Sequence, residues 1–424
     1  MNPDTLGHGL GLGRGLGAGD PLVVPPASFS GDLPLDDRTL FTPWTDKVTG
    51  VTSYLLTARA APLQQSFYFV NPSMTEDGRY YWFYCVFPPS NGKCLGVVDF
   101  ARRRVRCFPE TQFSAASPLV DRQSGRVYWS NESGIWTRGP GDDEPPRLVN
   151  RFSPDLVRNR RVSHYASHHT FSSDRRALNI DTQIGSDWYI GSAPLDGSAI
   201  EIWQQAEGCH NHVQFSPSDP NLMLVAQDYH SDPSTGEIIP YANRLWLARR
   251  GGGLAAVYPH RIKEDYERMA TTGHIAGEVP RPVTDRRAMQ GHEWWNASGS
   301  HIWYVQYGGG VERVGVGASV PERVWPHRSV SHAHADAVEQ YLVLDALPSD
   351  DPSDRRVSFL NRATGRHIDI VSFMPDPPAD WFRYHVHPHP QFCLRDRMIC
   401  YTTTVCGRID VAFASVEDLM ARTS

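Results

Sequence analysis

Histidines dominate the chemistry this sequence can do. In five segments that otherwise resemble one another, a histidine occupies the same place: His168, His212, His292, His334 and His389. Two further copies have Asn71 and Ala116 there. Neighbouring positions add His169, His210, His332, His385 and His387. In HVHPHP (385–390) three histidines are spaced by two, which places them on one face of an extended strand. Pro388 and Pro390 remove backbone donors, so that strand end is irregular or at an edge. Imidazoles converging without thiols suit a divalent ion such as zinc, manganese or iron, a calcium ion being a further option. A polar channel without metal is the alternative reading.

Positioning side chains that lie so far apart in sequence requires a repeat. The copies are NPSMTEDGRYYWF (71–83), ASPLVDRQSGRVYW (116–129), HHTFSSDRRALNI (168–180), HVQFSPSDPNLMLV (212–225), HEWWNASGSHIWYV (292–305), HADAVEQYLVLD (334–345) and HPQFCLRDRMICYT (389–402). After them come second strand patterns such as RLWLARRGGGLAAVY (244–258) and RIDVAFASVEDL (408–419). Two hairpins per unit make a four-stranded propeller blade, and seven units predict an all-β, single-domain, seven-bladed β-propeller over residues 35–424. SYLLTARA (53–60) closes the ring by pairing with the last blade, which removes an open sheet edge. A long interval before His292 calls for an insertion at 259–288, near the fourth and fifth blades. A β-sandwich is the competing architecture. Residues 1–34, rich in Gly, Leu and Pro, are expected to form a loosely ordered tail.

Composition narrows the function classes. A net charge of −6 supplies no basic face for nucleic acid. Seven cysteines without a C-x-x-C pair read as reduced, mostly buried thiols. No apolar run is long enough to span a membrane and no export signal stands at the start, so a cytoplasmic location is expected. The oligomeric state is left open.

From about Thr45 to Leu419 the chain resembles the oligogalacturonate lyase family, cytoplasmic seven-bladed propellers. HEWW (292–295) resembles the family's His-Glu-aromatic-Trp segment, and HPHPQF (387–392) its His-Pro-His-Pro-Ser-Phe segment. The resemblance implies that His292, His387 and His389 bind a metal, manganese in the family. The family's fourth ligand, a glutamine, is replaced by Tyr384, and His385 is the substitute at hand. His212, with Pro217, matches the segment carrying the family's catalytic histidine. Implied is β-elimination: a metal neutralises the uronate carboxylate and His212 removes the neighbouring proton. The chain departs from the family at Trp188, where an arginine is expected, and at AQDY (226–229) in place of Cys-His-Glu-Gly.

For an acidic oligosaccharide substrate, Arg244 and Arg383 are candidates for carboxylates. Trp294, Trp295, Trp381 and Tyr384 can stack on sugar rings, although propeller cores also need aromatics. His168 and His334 complete the column as substrate contacts. Epimerisation or hydrolysis on the same propeller, and a non-catalytic binding propeller, are the alternatives to the lyase.

Overall fold

The computed structural model describes residues 31–113, 117–231, 235, 238–239, 243–258, 270–271, 282–283, 290–346, 355–376 and 384–424. Its strands read as apolar runs rather than alternating patterns. Tyr80–Val86 (YYWFYCV) is buried at every position after the first, and Tyr341–Ala346 throughout. Such runs belong to sheets covered on both faces. Seven sheets of antiparallel strands satisfy that demand by standing face to face in a ring, a seven-bladed β-propeller. Each junction between neighbouring blades holds an apolar cluster, and the junction of blades seven and one holds two. Trp294, Trp303 and Val305 of blade five meet Val330, Leu342 and Leu344 of blade six, for instance, and Phe41, Tyr81 and Phe83 meet Cys400 and Phe413 where blades seven and one join.

Ring closure occurs as the sequence predicts. Thr52–Leu56 pairs with Asp410–Ser415, Ser53 opposite Ala414, and Phe41–Thr45 adds an outer strand. The chain ends differently from the expected strand over 408–419. The strand stops at Ser415, whose hydroxyl caps a helix over Val416–Thr423 by accepting the amide of Asp418, with Glu417 and Asp418 in the first turn. Blade three has three strands, Ala177–Ile184, Asp187–Pro194 and Glu201–Ala206, and its innermost segment joins through the single bridge Phe171–Leu178.

The insertion expected at 259–288 falls between the last strand of blade four, Gly253–Ala256, and the first of blade five, Gln290–Trp295. Most of it lies outside the described residues, apart from the pair Ala270–Thr271 and Pro282–Val283. The tail expected over 1–34 lies outside them up to residue 30; Leu33 is buried in the apolar cluster that joins blades seven and one. Among the described residues no helix is long and apolar enough to cross a membrane, and all seven cysteines are free.

Candidate metal centre

The innermost strands all run the same way along the channel, so a residue's height follows from its distance to the turn that ends its strand. The turns are marked by equivalent backbone hydrogen bonds: Thr75 N to Tyr80 O, Asp121 N to Arg126 O, Ser172 N to Ala177 O, Ser216 N to Leu222 O, Asn296 N to His301 O and Asp336 N to Tyr341 O. Four residues before each lie Asn71, Ser117, His168, His212, His292 and His332. In blade seven the pair Cys393–Met398 gives His389 the same place. Five histidines therefore share one height. The member from blade six is His332, not His334, and the member from blade two is Ser117, not Ala116.

Local strain aims these rings inward. His212, His292 and His389 have φ of 50°, 52° and 44°, and His385 has 50°. A left-handed backbone at a residue with a Cβ costs about 1–2 kcal/mol. The register slips between Asn211 and Gln214, between Gly291 and Trp294, and between Val330 and His332. The bulge spans His212 and His292 in blades four and five and turns each side chain towards the axis, whereas in blade six it precedes His332, which stays paired opposite Asp345.

On that axis stands Tyr68. Its ring centre lies 5.6 Å from that of His168, 6.0 Å from His212, 6.4 Å from His292, 6.0 Å from His332 and 5.1 Å from His389. Burial, with Glu293 and Tyr307, pushes its phenol well above its ordinary pKa, so Tyr68 keeps its proton at neutral pH. Sequence reasoning missed it, because nothing in FYFV distinguishes it from a core aromatic.

His332, His387 and His389 converge, offering nitrogen atoms all within 4.8 Å of one another. His332 Nδ1 is held by Asp345, which is fully buried. Nδ1–H as donor leaves Nε2 as the ligand atom, the arrangement of a carboxylate-anchored metal histidine. His389 Nε2 is buried and has no hydrogen-bond partner among the described residues. A buried nitrogen lone pair without a donor is costly, and a cation satisfies it. These residues fit a divalent ion.

Around this trio the other predicted ligands take outer places. His292 packs against His332, ring centres 3.9 Å apart, with Nδ1 turned to the Ser331 carbonyl and 2.9 Å from the Tyr307 hydroxyl. His385 is exposed, 4.3 Å from the ring of His387. His212 and His168 face each other across 5.5 Å on the other side of Tyr68. Both nitrogens of His168 are buried without partners among the described residues.

Burial favours the neutral form at five of these rings. His168, His292, His387 and His389 are pushed well below the ordinary imidazole value by burial first and then by neighbouring histidines, and His212 to about 3 by burial first and then by Arg244 and neighbouring histidines. Unprotonated imidazole is the form that binds metal or accepts a proton.

Several expected substrate contacts lie elsewhere. His334 sits two residues nearer the turn, accepts the amide of Phe392 at Nδ1, and lines a cavity of about 200 Å³ at the opposite channel mouth together with Trp295. Trp295 is 9% exposed and donates its indole N–H to the Gln214 carbonyl, so its ring cements blades four and five. Tyr384 is buried among Val86, Val386 and Ile409. Arg383 and Trp381 lie outside the described residues. Arg244 is at the histidine end, but buried and engaged: Nε lies 3.1 Å and Nη2 3.3 Å from the Glu293 carboxylate, and Nη1 3.3 Å from Asp228. The glutamate of HEWW thus orients an arginine.

The fold matches two solved structures. One is an oligogalacturonate lyase in complex with manganese, at a TM-score of 0.68 and 16% identity over 88% of this chain and 96% of that one. The other is the oligogalacturonate lyase of Vibrio parahaemolyticus, at 0.68 and 15% over 89% and 97%. At these identities the likeness is one of fold. No protein-family model and no curated protein matches the sequence.

Proposed function

We propose that this propeller is a metal-dependent lyase that cleaves uronic-acid-containing oligosaccharides by β-elimination. The observation that carries the reading is the convergence of His332, His387 and His389 beside a neutral His212, on a fold shared with two oligogalacturonate lyases. His332 through Nε2, His389 through Nε2 and His387 would hold the ion, with His292 and His385 next to them. A divalent cation there, manganese first among the choices, supplies the positive charge that makes a proton beside a carboxylate removable.

The chain's own residues do the rest. His212 takes the proton from the carbon bearing the carboxylate; the electron pair forms a C4–C5 double bond and the C4–O bond breaks, the leaving oxygen takes a proton from solvent to become a hydroxyl, and His212 returns its own proton to solvent. A carboxylate bound beside His212 favours its protonated form and so raises its basicity. Arg244, held by Glu293, adds positive charge on the same side, and Tyr68, protonated, presents a hydroxyl donor at the centre of the ring.

Supplying oligogalacturonates with manganese and following ultraviolet absorbance tests the reading. A rising signal from an unsaturated uronate supports it. Conversion without that chromophore would point to epimerisation or hydrolysis, and neither conversion nor binding would leave a non-catalytic propeller.

A further inference from the structure

A lysine without a counter-ion among the described residues stands at the end of the ring that holds the histidines. Lys93 opens the third strand of blade one, Lys93–Asp99, at the end of the ring where the inner strands begin, paired with Val86. It is half-buried, and its ammonium forms no ion pair or side-chain hydrogen bond among the described residues. What it has is the face of Tyr84, 4.6 Å from Nζ to ring centre. Tyr84 in turn bonds Ser117 through its hydroxyl at 3.0 Å, and Ser117 is blade two's residue at the height of the histidine ring. Tyr84 thus links the ammonium to the height of the histidine ring. Val86, the strand partner of Lys93, packs with Tyr384 and Val386, the residues that lead into His387.

Arg355 occupies the corresponding place in blade six, immediately before the strand Arg356–Asn361. It is buried, with Nη2 3.3 Å from the exposed Asp376. Asp345, the nearest buried carboxylate, is already occupied by His332 and the His389 amide. Lys93 is thus the cation on this side of the trio that no carboxylate meets among the described residues. Removing an ammonium partly from water without an opposite charge is unfavourable, and an anionic ligand reverses the balance.

We infer that Lys93, supported by Arg355, forms an anion subsite beside the metal centre that takes the carboxylate of the sugar adjoining the one bound at the metal. This deepens the uronate reading above and rests on it. An oligomer of uronic acids carries one carboxylate per ring, so a second cationic site selects acidic neighbours over neutral or esterified ones. Lys93 is then a specificity-determining residue, distinct from the histidines.

The test uses the full chain with manganese, Lys93→Met, which keeps the stem on Tyr84, and Lys93→Arg. Calorimetry measures binding of trigalacturonate and of its methyl ester, at two salt concentrations, and manganese is titrated separately. Loss of one charge-assisted contact should weaken the acidic trimer by about ten- to a hundredfold in Lys93→Met and reduce its salt dependence. Lys93→Arg should retain most of the affinity, and manganese stoichiometry, thermal midpoint and affinity for the ester should stay as in the wild type. Equal binding of the acidic trimer by wild type and Lys93→Met would overturn the subsite alone. Absence of trimer binding by the manganese-loaded wild type would overturn the uronate reading and the subsite with it.

Discussion

His332 Nδ1 lies 3.0 Å from both carboxylate oxygens of Asp345, and the second of those oxygens also accepts the amide of His389 at 3.0 Å. One buried carboxylate therefore fixes the tautomer of one metal-binding histidine and the backbone of another, across the junction of blades six and seven. The strand pairing makes this possible by setting His332 directly opposite Asp345.

Asp345→Asn should consequently loosen the metal site without removing a ligand. An amide can present its N–H₂ to Nδ1 and favour the wrong tautomer, so manganese affinity should drop by about ten- to a hundredfold. Calorimetric titration of the metal-free protein measures it; unchanged affinity would remove Asp345 from the account.

His212→Asn separates binding from chemistry. Manganese content should stay at the wild-type level, because His212 lies outside the converging trio, while kcat should fall by about a hundred- to ten-thousandfold, the usual contribution of a general base. Single-turnover rates on oligogalacturonates read the effect.

Glu293 is fully buried and is paired with Arg244. Glu293→Ala leaves a buried guanidinium short of its partner, and breaking such a pair costs about 3–5 kcal/mol. The thermal midpoint should fall clearly, and the double replacement Glu293→Leu/Arg244→Met should recover part of the loss.

Acid should unfold the metal-free protein early. His334 Nδ1 accepts the Phe392 amide, and burial lowers its pKa from 6.5 to about 4; His169 is likewise lowered to about 4. The folded state thus binds fewer protons than the unfolded chain between these values. Stability is fully present above about pH 6.5 and is lost as pH falls towards 4. Urea midpoints at pH 7.5, 6 and 5 should decline, and His334→Gln should decline less steeply.

Much of the architecture was legible because its signals are local. Apolar runs such as YYWFYCV, hairpin turns and the recurrence of seven units needed no long-range information, and SYLLTARA announced ring closure. The histidine column was legible except in blade six. There, residues two apart in a strand face the same way, and Ala335 stands where other blades carry Phe171, Phe215, Trp295 or Phe392, so the column slipped from His332 to His334. Asp345 escaped notice because its role depends on strand pairing. Tyr68, Tyr384 and Trp295 show that composition does not separate an aromatic on the channel axis from one that cements blades.

The most direct test of the central claim is the metal content of the chain itself. Elemental analysis after manganese loading and desalting should give one ion per chain for the wild type, and none for a folded His387→Ala/His389→Ala variant, while His334→Ala keeps its ion. An empty wild type, or a double variant that retains the full complement, would contradict a metal centre at His332, His387 and His389.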